Sequence, residues 1–553
     1  MLRPKLWTTL ESYDRRQFSR DLIAGVIVGI VALPLCIAFA IASGVSPERG
    51  LIAGVVGGFL VSLLGGSRVQ IGGPAGAFVV IVFGIIAEYG LDGLIVSTFL
   101  AGILLIVFGR FKLGSVIKFI PLPVVTGFTS GIAMIIFVSQ IADIFGMKLE
   151  GQTANFFEKI YFLWLASGSI NPTALLIGAG SVFFLMIWPR FSHVIPGSIV
   201  VLVVTTGLVH FLNLNVETIG SRFGEIPSML PMPQVPDLTF AEIRHLVSPA
   251  ITIAVLVAIE SLLSAVVADG MVGGRHRSNM ELVAQGVANI GSSVFGGLPV
   301  TGAIARTATN VRNGGRSPVA GLVHAVTLLS LMLVFGSFAQ MIPLAALAAI
   351  LVVVAYNMFE WHSFVAMLRG PKSDVAVLLT TLALTVVLDL TVAIEVGMVM
   401  AVFLFMKRMS SATEIEIFSS EMRDPSPAEE QDVLDRSAIP NGVQVYEING
   451  PFFFGAVYKF KEAMHIVSRA PKVRIIRMRK VPVMDSSGMQ ALVEVFHACR
   501  KEGSVMLISG INKQPRDVLE RADLIQQFGE DNILPTFDEA IVRAKHILAV
   551  QPS

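Results

Sequence analysis

Two short stretches decide the fold of this chain, Ser67-Arg-Val-Gln-Ile-Gly-Gly-Pro74 and Gly296-Gly-Leu-Pro-Val-Thr301-Gly302. Each predicts a brief extended segment that feeds a helix too short to cross a bilayer. The two stretches take the third place in two consecutive sets of about seven apolar segments. For either stretch alone, the alternative interpretation is that Gly and Pro only kink an ordinary membrane helix. Their matched positions favour an inverted repeat with a binding site near the membrane midplane.

The composition is that of a membrane protein. Of the 553 residues, 54% are hydrophobic and 15% are charged, against about 25% charged in soluble domains. Charged residues return at soluble frequency from Lys407 onward, which predicts two domains in different solvents. The net charge of +1 gives no electrostatic ground for nucleic-acid binding. Cys36 and Cys499 fall in different predicted domains, so neither a disulfide nor a Cys-based metal site is expected.

The apolar runs, broken at Gly, Pro and charge clusters, give about fourteen segments. The third and tenth segments are the two half-helices, and the fold class is therefore a polytopic α-helical membrane protein with a 7+7 inverted repeat. The predicted segment starts are Leu22, Leu51, Pro74, Leu91, Pro123, Thr173, Val194, Pro249, Met280, Thr301, Pro318, Pro343, Val375 and Thr391.

The predicted domains follow from these segments. Residues 1–20 form a cytoplasmic N-terminal segment and 21–408 the transmembrane domain, with repeats at about 21–212 and 247–408. Residues 409–438 are predicted as a linker and 439–550 as a cytoplasmic α/β domain. Clusters of Lys and Arg punctuate alternate loops, which by the positive-inside rule places both termini in the cytoplasm. The expected location is the cytoplasmic (inner) membrane of a bacterium.

The starts of the two half-helices, Pro74-Ala75-Gly76 and Gly302-Ala303-Ile304, are predicted to bind an anion. A helix that begins inside the bilayer leaves its first N–H groups unpaired, and its dipole places about half a positive charge there. Residues with small side chains at these positions let a ligand approach the backbone. An oxyanion or carboxylate substrate is therefore favoured over a cation.

Ionisable side chains inside membrane spans are costly and are usually functional. Glu260 lies in an apolar run with Ser264 one helical turn further on, and a desolvated carboxyl group readily takes up a proton that can travel with the substrate. The alternative is a neutral Glu with a structural hydrogen bond. Arg306 is predicted to attract the anion or to pair with an acid such as Glu260, the alternative being a side chain that reaches the cytoplasmic surface. Phe39 is a candidate wall of the pocket, although packing is an ordinary role for an aromatic residue there.

The tail after Lys407 predicts a small α/β domain. An acidic stretch from Glu414 to Asp435 precedes alternating strands and helices, and the first strand, Gly442 to Gly450, shows the pattern of a half-buried strand. Asp485 is predicted to cap a helix that begins near Ser487. The further elements expected are a helix from Ala456 to Ser468, a strand from Val473 to Met478, a strand from Ser504 to Ser509 and a helix from Pro515 to Ala522.

The whole chain resembles the SulP, or sulfate permease, family of anion transporters with a C-terminal STAS domain. The resemblance covers nearly the full length and includes the STAS signature Asp485-Ser-Ser-Gly488. The membrane-domain motifs that carry it are Arg20-Asp-Leu-Ile-Ala-Gly25, Leu33-Pro34, Gly72-Gly-Pro74, Glu260-Ser261-Leu262, Ser278-Asn279, Glu281-Leu282, Gly296-Gly297 and Ala305-Arg306-Thr307.

The resemblance implies a core domain that carries the half-helices and moves like an elevator against a gate domain, usually within a homodimer. It implies sulfate, bicarbonate, chloride, oxalate or dicarboxylates as substrates, and the pattern is similar to bacterial dicarboxylate transporters of the DauA type. In the family, an acid at the position of Glu260 is linked to proton coupling when it is Glu, and to sodium when it is Asp with a nearby Thr, where this chain has Ser264. A serine of the STAS turn is phosphorylated in some relatives, which makes Ser486 and Ser487 candidates here.

The sequence therefore predicts a proton-coupled symporter of a dicarboxylate or an inorganic oxyanion, with no cofactor and no metal. Alternatives are a sodium-coupled bicarbonate transporter, a passive anion channel or exchanger, a nucleobase transporter of the same fold, and a membrane-anchored signalling protein. Arg306 in segment ten and the STAS tail count against the nucleobase transporter. No nucleophile–base set or nucleotide loop points to an enzyme. Expected partners are the anion, membrane lipid, a second copy of the chain and a cytoplasmic protein at the STAS domain.

Overall fold

The chain divides into two compact units, Met1–Val399 and Met400–Ser553. Seven of the described helices are long and apolar enough to cross a membrane, and shorter apolar helices accompany them. The computed structural model describes the whole chain except residues 1, 12, 116–119, 150–154, 193–195, 225–228, 237–239, 389, 420–438, 466–470 and 551–553.

The first unit is helical. In chain order its helices are α1 (Lys5–Leu10), α2 (Arg15–Ala42), α3 (Pro47–Ile52), α4 (Gly58–Leu64), α5 (Val79–Arg110), α6 (Leu122–Phe145), α7 (Phe156–Leu165), α8 (Pro172–Ile187), α9 (Gly197–Phe211), α10 (Ile219–Phe223), α11 (Phe240–Val272), α12 (Ser278–Val294), α13 (Ile304–Arg312), α14 (Pro318–Ala339), α15 (Leu344–Met358), α16 (Trp361–Leu368), α17 (Lys372–Val387) and α18 (Leu390–Ala412), the last of which crosses the boundary of the units. A two-stranded ribbon of β1 (Gly72–Gly73) and β2 (Thr301–Gly302) completes this unit.

These helices form two packed groups. Helices α2, α4, α5, α11, α12, α13 and α14 pack against one another in the first group, which also holds the ribbon. Helices α6, α8, α9, α15 and α17 pack together in the second group, and α2 contacts α9 and α15 across the boundary between the groups. Each group takes helices from both halves of the sequence, as an intertwined inverted repeat requires.

The predicted segment starts agree with the helices except in a few places, one of which is Pro249, a residue inside α11 where the sequence predicts a start. Segments three and four form one element, in which a turn of 3₁₀ helix at Gly76–Phe78 leads into α5. Gly90, at φ 70° and ψ −172°, kinks α5 where the sequence predicts a break before Leu91. Helix α2 begins at Arg15, because Asp14 accepts a hydrogen bond from the Gln17 N–H and caps it ahead of the apolar run. The predicted start at Val194 lies outside the described residues.

The second unit contains a five-stranded mixed sheet in the order β3-β4-β5-β6-β7. Strand β3 runs antiparallel to β4, and the other neighbours are parallel. The strands are β3 (Glu414–Ser419), β4 (Val443–Asn449), β5 (Val473–Arg477), β6 (Val505–Ser509) and β7 (Ile533–Leu534). The helices are α19 (Phe454–His465), α20 (Ser486–Glu502), α21 (Lys513–Arg521), α22 (Leu524–Phe528) and α23 (Phe537–Val550).

The structure corrects two expectations for this unit. Strand β3 lies in the stretch that the sequence assigns to the acidic linker, because its pairing with β4 is a long-range contact that local composition does not reveal. Strand β4 is buried on both faces, not half-buried. Tyr446 faces the core beneath α19 and α20, while Val445 faces α23 on the opposite side. Glu447 is therefore buried, and Arg477 on β5 pairs with it at 3.2 Å.

Asp485 caps α20 as the sequence predicts. Its Oδ1 accepts a hydrogen bond from the Gly488 N–H at 2.8 Å, and its Oδ2 accepts one from the Phe454 N–H at 3.3 Å. Replacing Asp485 by alanine is expected to cost about 1 kcal/mol of local stability. The check is hydrogen exchange of the α20 amides, which should quicken about fivefold for that loss. Asp531→Ala, a change at a side chain that is 88% exposed, is the control, and equal exchange in both variants would contradict the capping role.

Candidate anion site and coupling residues

The two half-helices meet at the ribbon in the first unit. Gly72 lies opposite Gly302, and the chain leaves the antiparallel strands in opposite directions to enter the two helices. The N–H of Ala303 donates to the carbonyl of Ile71 at 2.9 Å and extends the pairing by one bond. The backbone itself therefore brings the two predicted anion-binding stretches together.

Neither half-helix has a side-chain cap. Ala75 precedes the turn that begins at Gly76, Ala303 precedes α13, and both have extended backbone with no capping hydrogen bond. The first N–H groups of such helices have no intrahelical acceptor, and the helix dipole adds partial positive charge. The predicted residues Ala75 and Ala303 are half-buried and Gly76 is buried, so a small ligand can approach this backbone.

Arg306 carries the positive charge of this site. Its side chain is 2% exposed, and its Nη2 donates to the carbonyl of Pro74 at the start of the other half-helix. Its Nη1 lies 3.9 Å from the sulfur of Cys36. Within the described part of the chain no carboxylate pairs with Arg306, so the alternative in which it pairs with Glu260 is not what the structure has. A buried guanidinium without a counter-ion is costly, and a bound anion would neutralise it.

Gly73 makes room for this guanidinium. Its φ of +150° lies outside the range that side chains favour, and a Cβ built there would overlap Nη1 of Arg306. Only glycine meets both requirements. The Gly-Gly pair before Pro74 thus has a specific purpose, which is to let the arginine of α13 reach the start of the first half-helix.

Glu260 lies on α11, half-buried, between the buried residues Ile259 and Ser261. No hydrogen bond or ion pair of its carboxylate with a described residue is present, so the alternative of a hydrogen-bonded structural Glu finds no partner here. Glu360, an acid that the sequence alone does not single out, lies between α15 and α16. A half-buried acid without a hydrogen-bond partner can take up and release a proton.

Ser264 is fully buried and holds the helix that carries Arg306. Its Oγ donates to Oγ1 of Thr307 at 3.3 Å, and the same Thr307 oxygen accepts from the Ile71 N–H at 3.1 Å. Ser261 shares a hydrogen bond of 2.9 Å with Oγ1 of Thr301. The face of α11 that includes Glu260 therefore contacts both the ribbon and α13.

Phe39 borders the first half-helix. Its ring carbon Cε1 lies 3.3 Å, and the sulfur of Met358 2.9 Å, from the position of a Cβ built on Gly76. The predicted wall residue is thus beside the helix start, together with a methionine of α15 from the second helix group. Ile304 is 36% exposed and lies at the first position of α13.

The two candidate phosphorylation sites lie in the second unit. Ser486 is exposed at the first residue of α20, and Ser487 is half-buried behind it. Phosphate at a helix N-terminus is electrostatically favourable.

In the same unit, burial raises the pKa of the Cys499 thiol, which accepts a hydrogen bond from Arg474 at 3.6 Å. Cys499 is therefore a neutral core thiol at physiological pH.

Gln70 belongs to the candidate site, although no sequence motif points to it. It is 4% exposed, and its Nε2 donates to the carbonyl of Ser261 at 3.1 Å, which fixes the ribbon to α11. A Cβ built on Gly302 would overlap this amide. A polar residue two places before a Gly-Gly-Pro motif is the only local signal, and the contact itself is long-range.

Replacing Gly302 by alanine is expected to destabilise the protein by about 1–3 kcal/mol, because Gln70 must move and lose its bond to Ser261. Thermal unfolding in detergent measures the change. Gly207→Ala is the matched control, since a Cβ at this position of α9 meets nothing within 4 Å. A melting temperature of Gly302→Ala equal to that of the control would show that the ribbon is not tightly packed.

An apolar cavity of about 500 Å³ lies elsewhere, between α6, α8 and α15. Its lining includes Phe137, Met186 and Tyr356 and none of the predicted site residues. Because its walls are apolar and the half-helices are polar at their ends, the cavity is not a binding site for an anion.

The fold is that of a polytopic membrane transporter, with a candidate anion site where the two half-helices meet. The sulfate permease family model matches residues 18–381, and the STAS domain model matches 437–540. The chain belongs to the sulfate permease family and carries a C-terminal STAS domain. It is a transporter and not an enzyme.

Known relatives span nearly the whole chain. The candidate sulfate transporter YvdB of Bacillus subtilis (strain 168) is 42% identical over 531 residues, which cover 96% of this chain and 98% of the relative. The bicarbonate transporter BicA of Picosynechococcus sp. is 30% identical over 97% of this chain and 96% of its own length. The structure of murine Slc26a9 in the inward-facing state superposes with a TM-score of 0.87 at 18% identity, covering 99% of this chain and 94% of the other. The likeness to Slc26a9 shows the fold alone.

Proposed function

We propose that the protein is a secondary active transporter that carries a small oxyanion or dicarboxylate across the cytoplasmic membrane together with a proton. The observation that carries this proposal is the buried Arg306, which lies without a carboxylate partner in the described chain beside two uncapped half-helices. An anion is the ligand that satisfies the guanidinium and the free N–H groups at once. The names of the relatives, a sulfate and a bicarbonate transporter, support anions of this size.

Proton coupling is proposed from Glu260. This acid is half-buried, has no hydrogen bond to a described residue, and lies on the helix whose next turn contacts α13 through Ser264. An anion that enters a site of low dielectric near a carboxylate is repelled unless the carboxylate is neutral. Protonation of Glu260 would therefore favour anion binding, and the two would cross the membrane together.

The movement we propose is elevator-like. The ribbon, both half-helices and Glu260 belong to the first helix group, whereas Met358 and Glu360 belong to the second. Sliding of the first group along the second would carry the site from one side of the membrane to the other. Both termini are proposed to be cytoplasmic, the assembly to be a homodimer, and the STAS unit to bind a cytoplasmic protein under control of Ser486 or Ser487.

A sodium-coupled bicarbonate transporter is the second candidate. The BicA relative, which matches along the whole chain, favours bicarbonate. Ser264 lies one turn from Glu260, but its hydroxyl is already hydrogen-bonded to Thr307 at 3.3 Å. A sodium ion would have to displace that bond, so the proton is the favoured co-substrate. A passive channel or exchanger would need no group like Glu260.

Purified protein in liposomes distinguishes these functions. Uptake of labelled succinate, fumarate, sulfate and bicarbonate is followed under an inward proton gradient or an inward sodium gradient, with protein-free liposomes as the blank. Uptake of a dicarboxylate or sulfate driven by protons is the expected result. Bicarbonate uptake that requires sodium would establish the second candidate, and uptake indifferent to both gradients would establish a channel or exchanger.

A further inference from the structure

Helix α12 carries a row of polar side chains on a buried face. The members of the row are fully buried and recur every three or four residues, which places them on one side of the helix. They are Glu281, Gln285, Asn289 and Ser292. Burying polar side chains is unfavourable unless they form hydrogen bonds. In the described chain, the hydrogen bonds that leave this row run to the two stretches that lead into the half-helices.

Glu281 holds the stretch that leads into the first half-helix. Its Oε2 accepts hydrogen bonds from the N–H groups of Gly66 and Ser67 at 2.8 and 3.0 Å, and its Oε1 accepts one from Gln285 at 2.9 Å. The carbonyl of Gly66 in turn accepts a hydrogen bond from the Arg277 N–H at 2.9 Å, directly before α12 begins. A Cβ built on Gly66 would overlap the carbonyl oxygen of Arg277, so the close approach of the stretch to the helix requires glycine.

Asn289 holds the stretch that leads into the second half-helix. Its Oδ1 accepts a hydrogen bond from the Val300 N–H at 2.9 Å, and its Nδ2 donates one to the Val300 carbonyl at 2.8 Å. The side-chain amide thus pairs with both backbone groups of Val300, as a neighbouring strand would. Ser292 adds a hydrogen bond to the carbonyl of Leu298 at 2.6 Å. Thr301, the first residue of β2, follows Val300 directly, so this stretch is fixed to α12 where the ribbon begins.

Close backbone packing fixes α12 itself. A Cβ built on Gly286 of α12 would lie 2.5 Å from the carbonyl oxygen of Gly102 of α5, and a Cβ on Gly102 would lie 2.7 Å from that of Gly286. Gly109 of α5 approaches the carbonyl oxygen of Asn279 in the same way. Small residues let two membrane helices come into backbone contact, which leaves little room for one to shift. Residues 281 and 289, about 12 Å apart along the axis of α12, therefore hold the two stretches at a fixed spacing.

We propose that Glu281 and Asn289 are positioning residues, which set the separation of the two half-helix starts and thereby the affinity for the anion. They act through the ribbon, because Glu281 fixes the chain ahead of Gly72 and Asn289 fixes it ahead of Gly302. The partial charge of a helix end falls off within about one turn, so an anion interacts with both ends only when their separation is right. This inference rests on the proposed function, since it concerns the same site.

The role of Glu281 in this proposal depends on its reach and not on its charge. A glutamine at position 281 keeps an oxygen that accepts from Gly66 and Ser67. Its Nε2 can donate to Oε1 of Gln285, which has no hydrogen-bond partner in the described chain, once the Gln285 amide turns over. An aspartate keeps the charge but is one methylene shorter, so its carboxylate is drawn back from the two N–H groups. Glutamine should therefore preserve the site and aspartate should not.

The test measures the saturation of anion counterflow at equal pH in proteoliposomes, with the KM and the maximal rate determined separately. The probe is labelled sulfate or succinate, whichever the wild type carries. The variants are Glu281→Gln, Glu281→Asp and Asn289→Ala, which removes the pairing with Val300. Ser293→Ala is the matched control, because Ser293 is a buried residue of the same helix whose hydroxyl donates within that helix, to the carbonyl of Ile290 at 2.8 Å. Thermal unfolding in detergent identifies the variants that fold.

We expect Glu281→Asp and Asn289→Ala to raise the KM by about tenfold or more, because a displacement of about 1 Å at a binding site can cost up to about a hundredfold. Glu281→Gln and Ser293→Ala should keep the KM close to that of wild type. If Asn289→Ala does not fold, the two Glu281 variants decide the question.

A wild-type KM in folded Glu281→Asp or Asn289→Ala would overturn the positioning role and leave the proposed function intact. A KM for Glu281→Gln as high as that for Glu281→Asp would also overturn it, because the charge would then matter more than the hydrogen bonds. A raised KM in Ser293→Ala would overturn it as well, since any loss of packing in α12 would then suffice. Wild-type protein without saturable counterflow of either anion would overturn the proposed function itself.

Discussion

Replacing Arg306 by alanine is expected to reduce anion uptake by about a hundredfold or more, the loss typical of removing one buried donor from a charge-stabilising site. The guanidinium is 2% exposed and, in the described chain, has no carboxylate partner. Its interaction with a bound anion is therefore little weakened by water or by a competing counter-ion. Without it the half-helix dipoles alone must hold the anion.

Initial rates of uptake at several anion concentrations measure this effect. A Lys at position 306 keeps the charge but loses the planar donor pair, so Arg306→Lys should fall between wild type and Arg306→Ala. Arg312→Ala is the matched control, since Arg312 is an exposed residue in the last turn of the same helix. Uptake by Arg306→Ala at the rate of this control would show that the anion binds elsewhere.

Replacing Glu260 by glutamine is expected to abolish accumulation driven by a proton gradient. With one proton per anion and the membrane potential held at zero, a gradient of one pH unit supports accumulation of up to about tenfold. Glutamine resembles the protonated acid in shape and charge but cannot release a proton. The variant should therefore still bind the anion and exchange it, but the anion should only equilibrate across the membrane.

The measurement is the ratio of internal to external anion at steady state, with the potential clamped by potassium and an ionophore. Thermal unfolding in detergent shows whether Glu260→Gln folds, and counterflow shows whether it still binds the anion. Ser264→Ala is a useful second variant, because it removes the hydrogen bond to Thr307 and leaves the carboxylate of Glu260 unchanged. Accumulation by Glu260→Gln equal to that of wild type would remove Glu260 from the coupling role.

The sequence predicts the features that depend on local chemistry. The starts of the half-helices, predicted at Pro74 and Thr301, lie within a few residues of the observed turns at Gly76 and Ile304. Gly and Pro begin or end helices because of their own backbone properties, so their effect is local and can be predicted from the sequence. The same holds for the cap at Asp485.

The features that the sequence does not predict depend on partners far along the chain. The sequence allows Arg306 to attract an anion or to pair with an acid, and only the fold shows that it reaches the carbonyl of Pro74. Gln70 becomes a site residue because the fold brings Ser261 to it. Glu360 ends an apolar run, where an interfacial position is the ordinary interpretation, and only the structure shows its left-handed backbone between α15 and α16.

Movement of protons with the anion is the central claim, and it can be observed directly. Proteoliposomes at equal internal and external pH, in weakly buffered medium, receive a pulse of external sulfate or succinate while a pH electrode records the medium. We expect the medium to become alkaline on addition of the anion in wild type, and not in Glu260→Gln. Uptake of the labelled anion in wild type without any change in external pH would contradict proton coupling.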